Sequence, residues 1–255
     1  MALIKNHSMH QRGHRRTEGE RRLPMDPRSL HVQSIPLLAG LDDEEADAIR
    51  SGLQVRHYKR GGLIFTSGSR ADRLYIVCSG CMKIFKYAAD GRELILYLYG
   101  AGDFVGGFNL LKADEYRYNA MALEDSQICT LSKEKFDEIV LRSPRILIKI
   151  AEKGFERVRW AEELVDRLNS PSADLKVAAL LLDLMRDFSS IDKDRVVLRL
   201  TINREEMGNY TGLSRETVTR KLKQFQEMGI VELMGNKRII LKDLDTLRAI
   251  AEREL

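Results

Sequence analysis

One stretch of this 255-residue chain, from Asn203 to Lys223, concentrates side chains able to act together on a ligand. Asn203 precedes Glu206 by three residues, the spacing of a reciprocal helix cap, so a short helix is predicted from there to about Tyr210. Thr211-Gly212-Leu213 reads as a tight turn whose glycine supplies a positive φ. Ser214 then caps a second helix carrying Arg215, Glu216, Thr217, Val218, Thr219, Arg220, Lys221 and Lys223. Met207, Val218, Leu222 and Phe225 can close the pair over a small core. Helix, three-residue turn with glycine, helix is the arrangement that sets a second helix in the DNA major groove. The chemistry suits that task, since arginine contacts guanine O6 and N7 together and glutamate accepts from cytosine N4. Arg215, Glu216, Thr219 and Arg220 are the candidate base readers. Ser214 and Thr217 lie at the positive end of the helix dipole, where they can hold phosphate. Lys221 and Lys223 add attraction that does not depend on sequence. Farther on, residues 230–234 and 238–241 flank Gly235-Asn236-Lys237, a β-hairpin wing that would bring Lys237 near a flanking phosphate. The competing reading is an ordinary solvated amphipathic helix, which explains neither the caps nor the wing.

A second group is sulfur. Cys78 and Cys81 form Cys-x-x-Cys across Ser79-Gly80, and Cys129 stands alone. Thiolates so spaced bind metal or switch between dithiol and disulfide, while buried cysteines also serve as small hydrophobes. His7, His10 and His14 invite a metal reading against the plainer one of a solvated tail. Catalysis has little support. The chain has no P-loop, no Gly-x-Ser-x-Gly and no His-Glu-x-x-His, and His57 is the one histidine within the expected folded region.

These groups need a scaffold. Hydrophobic content of 44% and charged content of 31% are those of a soluble globular protein. A net charge of +4 says little about nucleic acid by itself. Three cysteines suit a reducing compartment, and no apolar run approaches the ~20 residues that span a bilayer, so a cytoplasmic protein without membrane contact is expected. Residues 1–33 read as a disordered basic tail. Asp42, Asp43 and Glu44 open a short helix before residue 50. Short apolar runs at 63–65, 74–77, 94–99 and 128–131, punctuated by glycine turns, argue for an all-β barrel or roll. Asp90-Gly91 marks a two-residue hairpin within it. A short helix over 133–139 precedes a long one over about 144–168 with two apolar stripes. Ile150, Gly154, Ala161, Leu164 and Leu168 make one; Ile148, Ala151, Phe155, Val158 and Val165 make the other. Two stripes predict one face on the β domain and one on a partner helix, as in a coiled-coil dimer, unless the helix is buried on both sides within one chain. Asn169-Ser170-Pro171-Ser172 ends that helix, opens the next and marks a hinge. The expected domains are 34–170 and 171–255, the second with a short strand at 196–200.

The segment TINREEMGNYTGLSRETVTRKLKQFQEMGIVELMGNKRIIL resembles the winged helix-turn-helix of the CRP/FNR family of transcription regulators. LYIVCSGCMKIFKYAADGRELIL and GAGDFVGGFNLL resemble the glycine turns of its β-roll, and the resemblance runs from about residue 34 to 245. It implies an α+β chain: a cyclic-nucleotide-binding-type β-roll, a long dimerisation helix and a C-terminal winged helix-turn-helix. It implies a cytoplasmic homodimer on double-stranded DNA, an activator with RNA polymerase as a further partner. SRETVTR is similar to the family's reading motif, so Arg215, Glu216 and Arg220 would touch base edges, and Arg204, Ser214 and Thr217 would hold phosphate. Half-sites with a TGA core follow, closer to TGTGA than to TTGAT.

The sensor half departs from the family pattern. Cyclic-AMP-binding members carry Gly-Glu and then Arg-Ser; here Gly106-Gly107 and Arg117-Tyr118 stand in those places. Gly107 lacks the carboxylate expected on ribose and Tyr118 crowds the site, which argues against cyclic AMP while marking these four residues as a candidate effector pocket. Oxygen-sensing members hold an iron–sulfur cluster with four cysteines, three of them near the N-terminus. This chain has three in all and none there, so that cluster is not expected, although Cys129 lies where the fourth ligand would, nearer the FNR branch. The signal is expected to be redox, metal or a small molecule, with no cofactor singled out; Cys78, Cys81 and Cys129 are the candidate sensing residues. A cyclic-nucleotide-binding module without a DNA-binding role would predict an intact phosphate cassette and no reading helix, the reverse of what this sequence carries.

Overall fold

A computed structural model of the chain describes residues 35–252, apart from 40, 113, 193 and 194. The expected basic tail, with His7, His10 and His14, lies outside the described residues. A 3-10 turn, Pro36–Leu38, leads into α1, Asp43–Gly52. The acidic start of this helix works as the sequence suggests. The Asp42 carboxylate accepts the Glu45 N–H at 2.8 Å, and the Glu45 carboxylate accepts the Asp42 N–H at 3.0 Å.

Eight strands follow: β1 (Gln54–Tyr58), β2 (Leu63–Phe65), β3 (Arg73–Ser79), β4 (Met82–Tyr87), β5 (Glu93–Tyr99), β6 (Phe104–Val105), β7 (Asn119–Ala122) and β8 (Ser126–Ser132). A short helix, α2 (Gly107–Lys112), sits between β6 and β7. The strands make two antiparallel sheets, in the orders β1-β8-β3-β6 and β2-β7-β4-β5, which together form the roll. Between the sheets, aromatic side chains do much of the filling. Phe65 stacks on Tyr116 at 4.0 Å between ring centroids and lies 5.0 Å from Tyr75 and 5.9 Å from Tyr118. The hairpin at Asp90-Gly91 is longer than two residues. Ala88 donates to the Arg92 carbonyl at 2.8 Å, leaving Ala89, Asp90 and a left-handed Gly91 in the loop. A three-residue loop with glycine at the left-handed position serves the strand twist equally well.

The chain then turns helical: α3 (Lys133–Arg142), α4 (Arg145–Asn169) and α5 (Ala173–Phe188). With 25 residues, α4 is about 37 Å long. Its first turns bury Ile146 and Ile150 among β3, β8, α1 and α3. Gly154 lets the helix lie against α2, where a β-carbon would fall 2.0 Å from the Phe108 ring. Farther along, Arg157 covers the Tyr97 ring at 4.8 Å, and Trp160 meets Tyr97 edge-on at 5.8 Å. Ala161, expected on this inward stripe, is exposed; Arg157 and Trp160 make the contact in its place, because long side chains reach the roll where alanine does not.

The second stripe of α4 points away from the protein. Ile148, Phe155, Val158 and Val165 are between 56% and 67% exposed, and Ala151 is exposed beside them.

The last part contains β9 (Ser189–Asp192), β10 (Arg195–Arg199), α6 (Arg204–Thr211), α7 (Arg215–Glu227), β11 (Val231–Met234), β12 (Arg238–Leu241) and α8 (Leu244–Glu252). A third sheet runs in the order β11-β12-β10-β9. Leu181, Leu184, Met207, Val218, Leu222, Phe225 and Leu247 form its core, which continues into the roll through Cys81, Phe85, Ile95 and Leu123. Two carboxylates span the same junction. Lys83 on β4, 4% exposed, meets Glu93 of β5 at 2.6 Å and Glu206 of α6 at 3.7 Å. Asn209 of α6 donates to Glu93 at 3.3 Å.

Candidate nucleic-acid interface

Local chemistry fixes both helices of the α6–α7 pair. The Asn203 side chain accepts from the backbone of Glu205 and Glu206 at 2.9 Å, and Glu206 accepts the Asn203 N–H at 2.8 Å. The turn between the helices admits little besides glycine at two points. Gly212 has φ +69°, and a β-carbon at Gly208 would fall 2.5 Å from the Leu213 carbonyl oxygen. Ser214 caps α7 by accepting the Thr217 N–H at 3.1 Å, and its hydroxyl donates to that of Thr217 at 3.0 Å. Val218, Leu222 and Phe225 face inward, which turns the opposite side of α7 outward.

That outer side is the predicted reading surface. Arg215, Glu216, Thr219 and Arg220 line one shallow open groove with Lys223, Gln224 and Glu227. Arg215, Glu216 and Arg220 are exposed, and among the described residues no hydrogen bond or ion pair occupies their side-chain tips. The Thr219 hydroxyl donates to the Arg215 carbonyl at 2.8 Å, leaving its methyl as the free group. Free guanidinium and carboxylate tips on one helix face can meet base edges without first breaking a bond to the protein.

The expected phosphate ligands divide. Ser214 is exposed, and Lys237 is exposed in the β11–β12 turn beside Arg238. That turn is steadied by Gln226 of α7, whose side chain accepts the Leu233 N–H at 3.0 Å. Lys221 behaves otherwise. Its ammonium binds Asp174 at 2.8 Å and Gln224 at 3.1 Å, bracing α7 against the start of α5 rather than facing outward. Arg204 is half-buried and donates to the Met207 sulfur at 3.1 Å; burial lowers its pKa.

A second joint ties the pair to α4. Trp160 lies 5.6 Å from the Tyr210 ring of α6, and Arg167 covers Trp160 at 4.4 Å while pairing with Asp183 of α5. Burial first, and then the Asp183 charge, push the Tyr210 phenol well up, so it stays protonated and donates to Asp183 at 3.1 Å. Sequence reasoning overlooked this joint, because its members are separated by up to 50 positions. Trp160, the one tryptophan of the chain, was the available signal.

In the roll, the four residues of the expected effector pocket are engaged with the protein itself or turned to solvent. Gly106 packs on the Arg73 carbonyl and Gly107 on Ile150 of α4. Arg117 is exposed, and Tyr118 donates to Asn109 at 3.3 Å. The cysteines are also rearranged. Cys78 is bonded to Cys129 in a disulfide, whereas Cys81, three residues on, is a buried thiol on the opposite side of the sheet, 3.7 Å from the Thr201 hydroxyl. The turn at Ser79-Gly80 separates the two members of Cys-x-x-Cys instead of joining them. Among the described residues, no three His, Cys, Asp or Glu side chains gather in a way that could hold a metal ion.

Comparison with known proteins agrees with this architecture. Residues 55–143 match the cyclic nucleotide-binding domain, and residues 175–250 match the Crp-like helix-turn-helix domain. The chain is 32% identical over 220 residues to a cyclic AMP receptor protein of Thermus thermophilus, covering 86% of this chain and 98% of that one. It is 28% identical over 215 residues to the transcriptional activator protein Anr of Pseudomonas protegens, covering 84% and 86%. Among solved structures, a CRP/FNR-family transcriptional regulator from Thermus thermophilus superposes with a TM-score of 0.63 at 26% identity, covering 78% of this chain and 98% of the other. A CooA variant from Carboxydothermus hydrogenoformans shares the fold, with a TM-score of 0.71 at 21% identity and coverage of 86% and 95%.

Proposed function

Because the chain belongs to the CRP/FNR family of DNA-binding transcription regulators, we propose that it acts as a homodimer whose paired α7 helices read an inverted-repeat site. Residues 34–170 form the receiving half and the dimer contact; residues 171–255 form the reading half. The observation that carries this reading is the row along the open face of α7, where the tips of Arg215, Glu216 and Arg220 are free and Thr219 offers its methyl. Ser214, Thr217, Lys237 and, after a swing off Met207, Arg204 set the register on phosphates. The exposed stripe of α4 supports a two-fold partner, which places the two reading helices one DNA turn apart, about 34–36 Å. Relatives named as transcriptional activators support RNA polymerase as a further partner, and a regulator of this kind works in the cytoplasm. No helix among the described residues is long and apolar enough to cross a membrane.

Fluorescence anisotropy over single-base variants of a selected site tests the assignment. Arg220→Ala is expected to cost ~1–3 kcal/mol at the cognate site and to flatten the preference at one base pair of each half-site. Lys237→Ala should weaken all sequences alike and make the salt slope shallower by about one phosphate per subunit. An Arg220→Ala protein that keeps its full base preference would show that another surface reads the DNA.

A further inference from the structure

The Cys78–Cys129 pair is made by the sheet and not by the sequence spacing. Antiparallel β3 and β8 set Ile76 opposite Cys129 and Val77 opposite Ile128, and then the ladder shifts so that Ser79 faces Gln127. Cys78 is the extra residue at this irregularity, and its sulfur is directed onto Cys129 with 6.1 Å between the α-carbons. The two sulfurs differ in access. Cys129 is fully buried, whereas Cys78 is half-buried. Both pack in the core that holds Ile146 and Ile150, the root of α4, and α4 carries Trp160 to Tyr210 of α6. A protein that works on DNA in the cytoplasm meets a thiol pool that keeps cysteines reduced, and a disulfide there is ordinarily transient.

We propose that Cys78 and Cys129 are a peroxide-reactive site, with Cys78 as the thiol that attacks the peroxide and Cys129 as the resolving one; its regulatory consequence rests on the DNA-reading assignment above. The oxidant is a small hydroperoxide. The Cys78 thiolate attacks the peroxide, a sulfur–oxygen bond forms as the oxygen–oxygen bond breaks, and the departing oxygen takes a proton and leaves as water or an alcohol. The Cys129 thiolate then attacks the sulfenic sulfur. A sulfur–sulfur bond forms, the sulfur–oxygen bond breaks, and hydroxide leaves with a proton as water. Two electrons pass from the two sulfurs to the peroxide. Cys81 takes no part, since it lies on the other side of the sheet.

The test starts from fully reduced full-length protein treated with one equivalent of hydrogen peroxide. Mass spectrometry should show the loss of two hydrogens, peptide mapping should join Cys78 to Cys129, and millimolar reduced glutathione should reverse the change. Trp160 emission should shift without DNA present, and affinity for the selected site should differ ~5-fold or more between the two forms. Cys78→Ser and Cys129→Ala should abolish the response, with Cys78→Ser serving if the buried position does not tolerate change, and Cys81→Ala should keep it. A cross-link that resists glutathione, or one that forms with neither Trp160 nor DNA affinity responding, overturns the proposal. A reversible cross-link and Trp160 shift in a protein that binds no DNA in either form would uphold the site and overturn the reading assignment instead.

Discussion

Phe155→Asp or Val158→Asp yields a folded monomer that no longer distinguishes a two-half-site DNA from a single half-site. Both side chains lie outside the protomer's core, at 67% and 56% exposure, so the substitution removes no packing within one chain. They belong to a row at positions 148, 151, 155, 158 and 165, whose steps of three, four, three and then seven follow a coiled-coil seam interrupted once, at Glu162. In a two-fold contact each of these residues approaches its own copy. One aspartate therefore sets two carboxylates against each other in a seam that has lost an apolar pair. Native mass spectrometry should read a monomer, with the thermal melt of the protomer unchanged. The loss on DNA is larger than any single base contact supplies, because linked half-sites gain roughly 10²–10⁴ over one alone. Phe155→Leu keeps the apolar row and should keep the dimer. A Phe155→Asp protein that stays dimeric at micromolar concentration would move the two-fold contact away from α4, and with it the spacing expected between half-sites.

Legibility in the sequence followed the range of each interaction. Asn203 with Glu206 and Ser214 with Thr217 are caps closed within three residues, and each forms where the residue types suggested; Asp42 with Glu45 closes a third of the same range, at a helix start that the sequence marked only by its acidic residues. The long helix also stands almost where its two stripes put it, at 145–169 against 144–168. Two helices went unread. α8 carries an Asp243 cap that accepts the Thr246 N–H at 2.9 Å, followed by Leu244 and Leu247 at helical spacing, so its signal was present. α2 has only six residues and no cap to announce it. What could not be read is set by pairings between distant strands. The shift that turns Cys78 toward Cys129 exists only once β3 lies beside β8, 51 positions away. Lys221 looked like a groove lysine because nothing near it in sequence shows that Asp174 lies 2.8 Å away. The junction of Lys83 with Glu206 spans 123 positions, and the continuous core beneath it blurs the boundary that the hinge at residue 170 implied.

That junction carries the second large effect. Lys83→Met should destabilise the protein by ~3–5 kcal/mol, the range seen when one partner of a buried ion pair is removed. The Lys83 side chain is 5% exposed, and the carboxylates it faces, Glu93 and Glu206, are 17% and 14% exposed. Without the ammonium, both anions stay desolvated, and the nearest other cation is Arg60, 3.8 Å from Glu206 but 52% exposed and worth little in water. The melting temperature should fall by roughly 10 °C for a chain of this size. Most of that loss belongs to Glu93, which shares the roll with Lys83 and sits closer. The part that crosses from the roll to α6 is isolated by pairing Lys83→Met with Glu206→Gln, which removes the charge but leaves an oxygen to accept the Asn203 N–H. A coupling of ~1 kcal/mol or more in that double-mutant cycle places α6 against β4 and β5 in solution. Zero coupling alongside a full loss from Lys83→Met would mean that the ion pair is internal to the roll and that the reading half stands free of it. The two outcomes assign different routes to a signal. A docked α6 feels the roll directly through Lys83 and Asn209, whereas a free one is moved only through α4, by Trp160 and Tyr210.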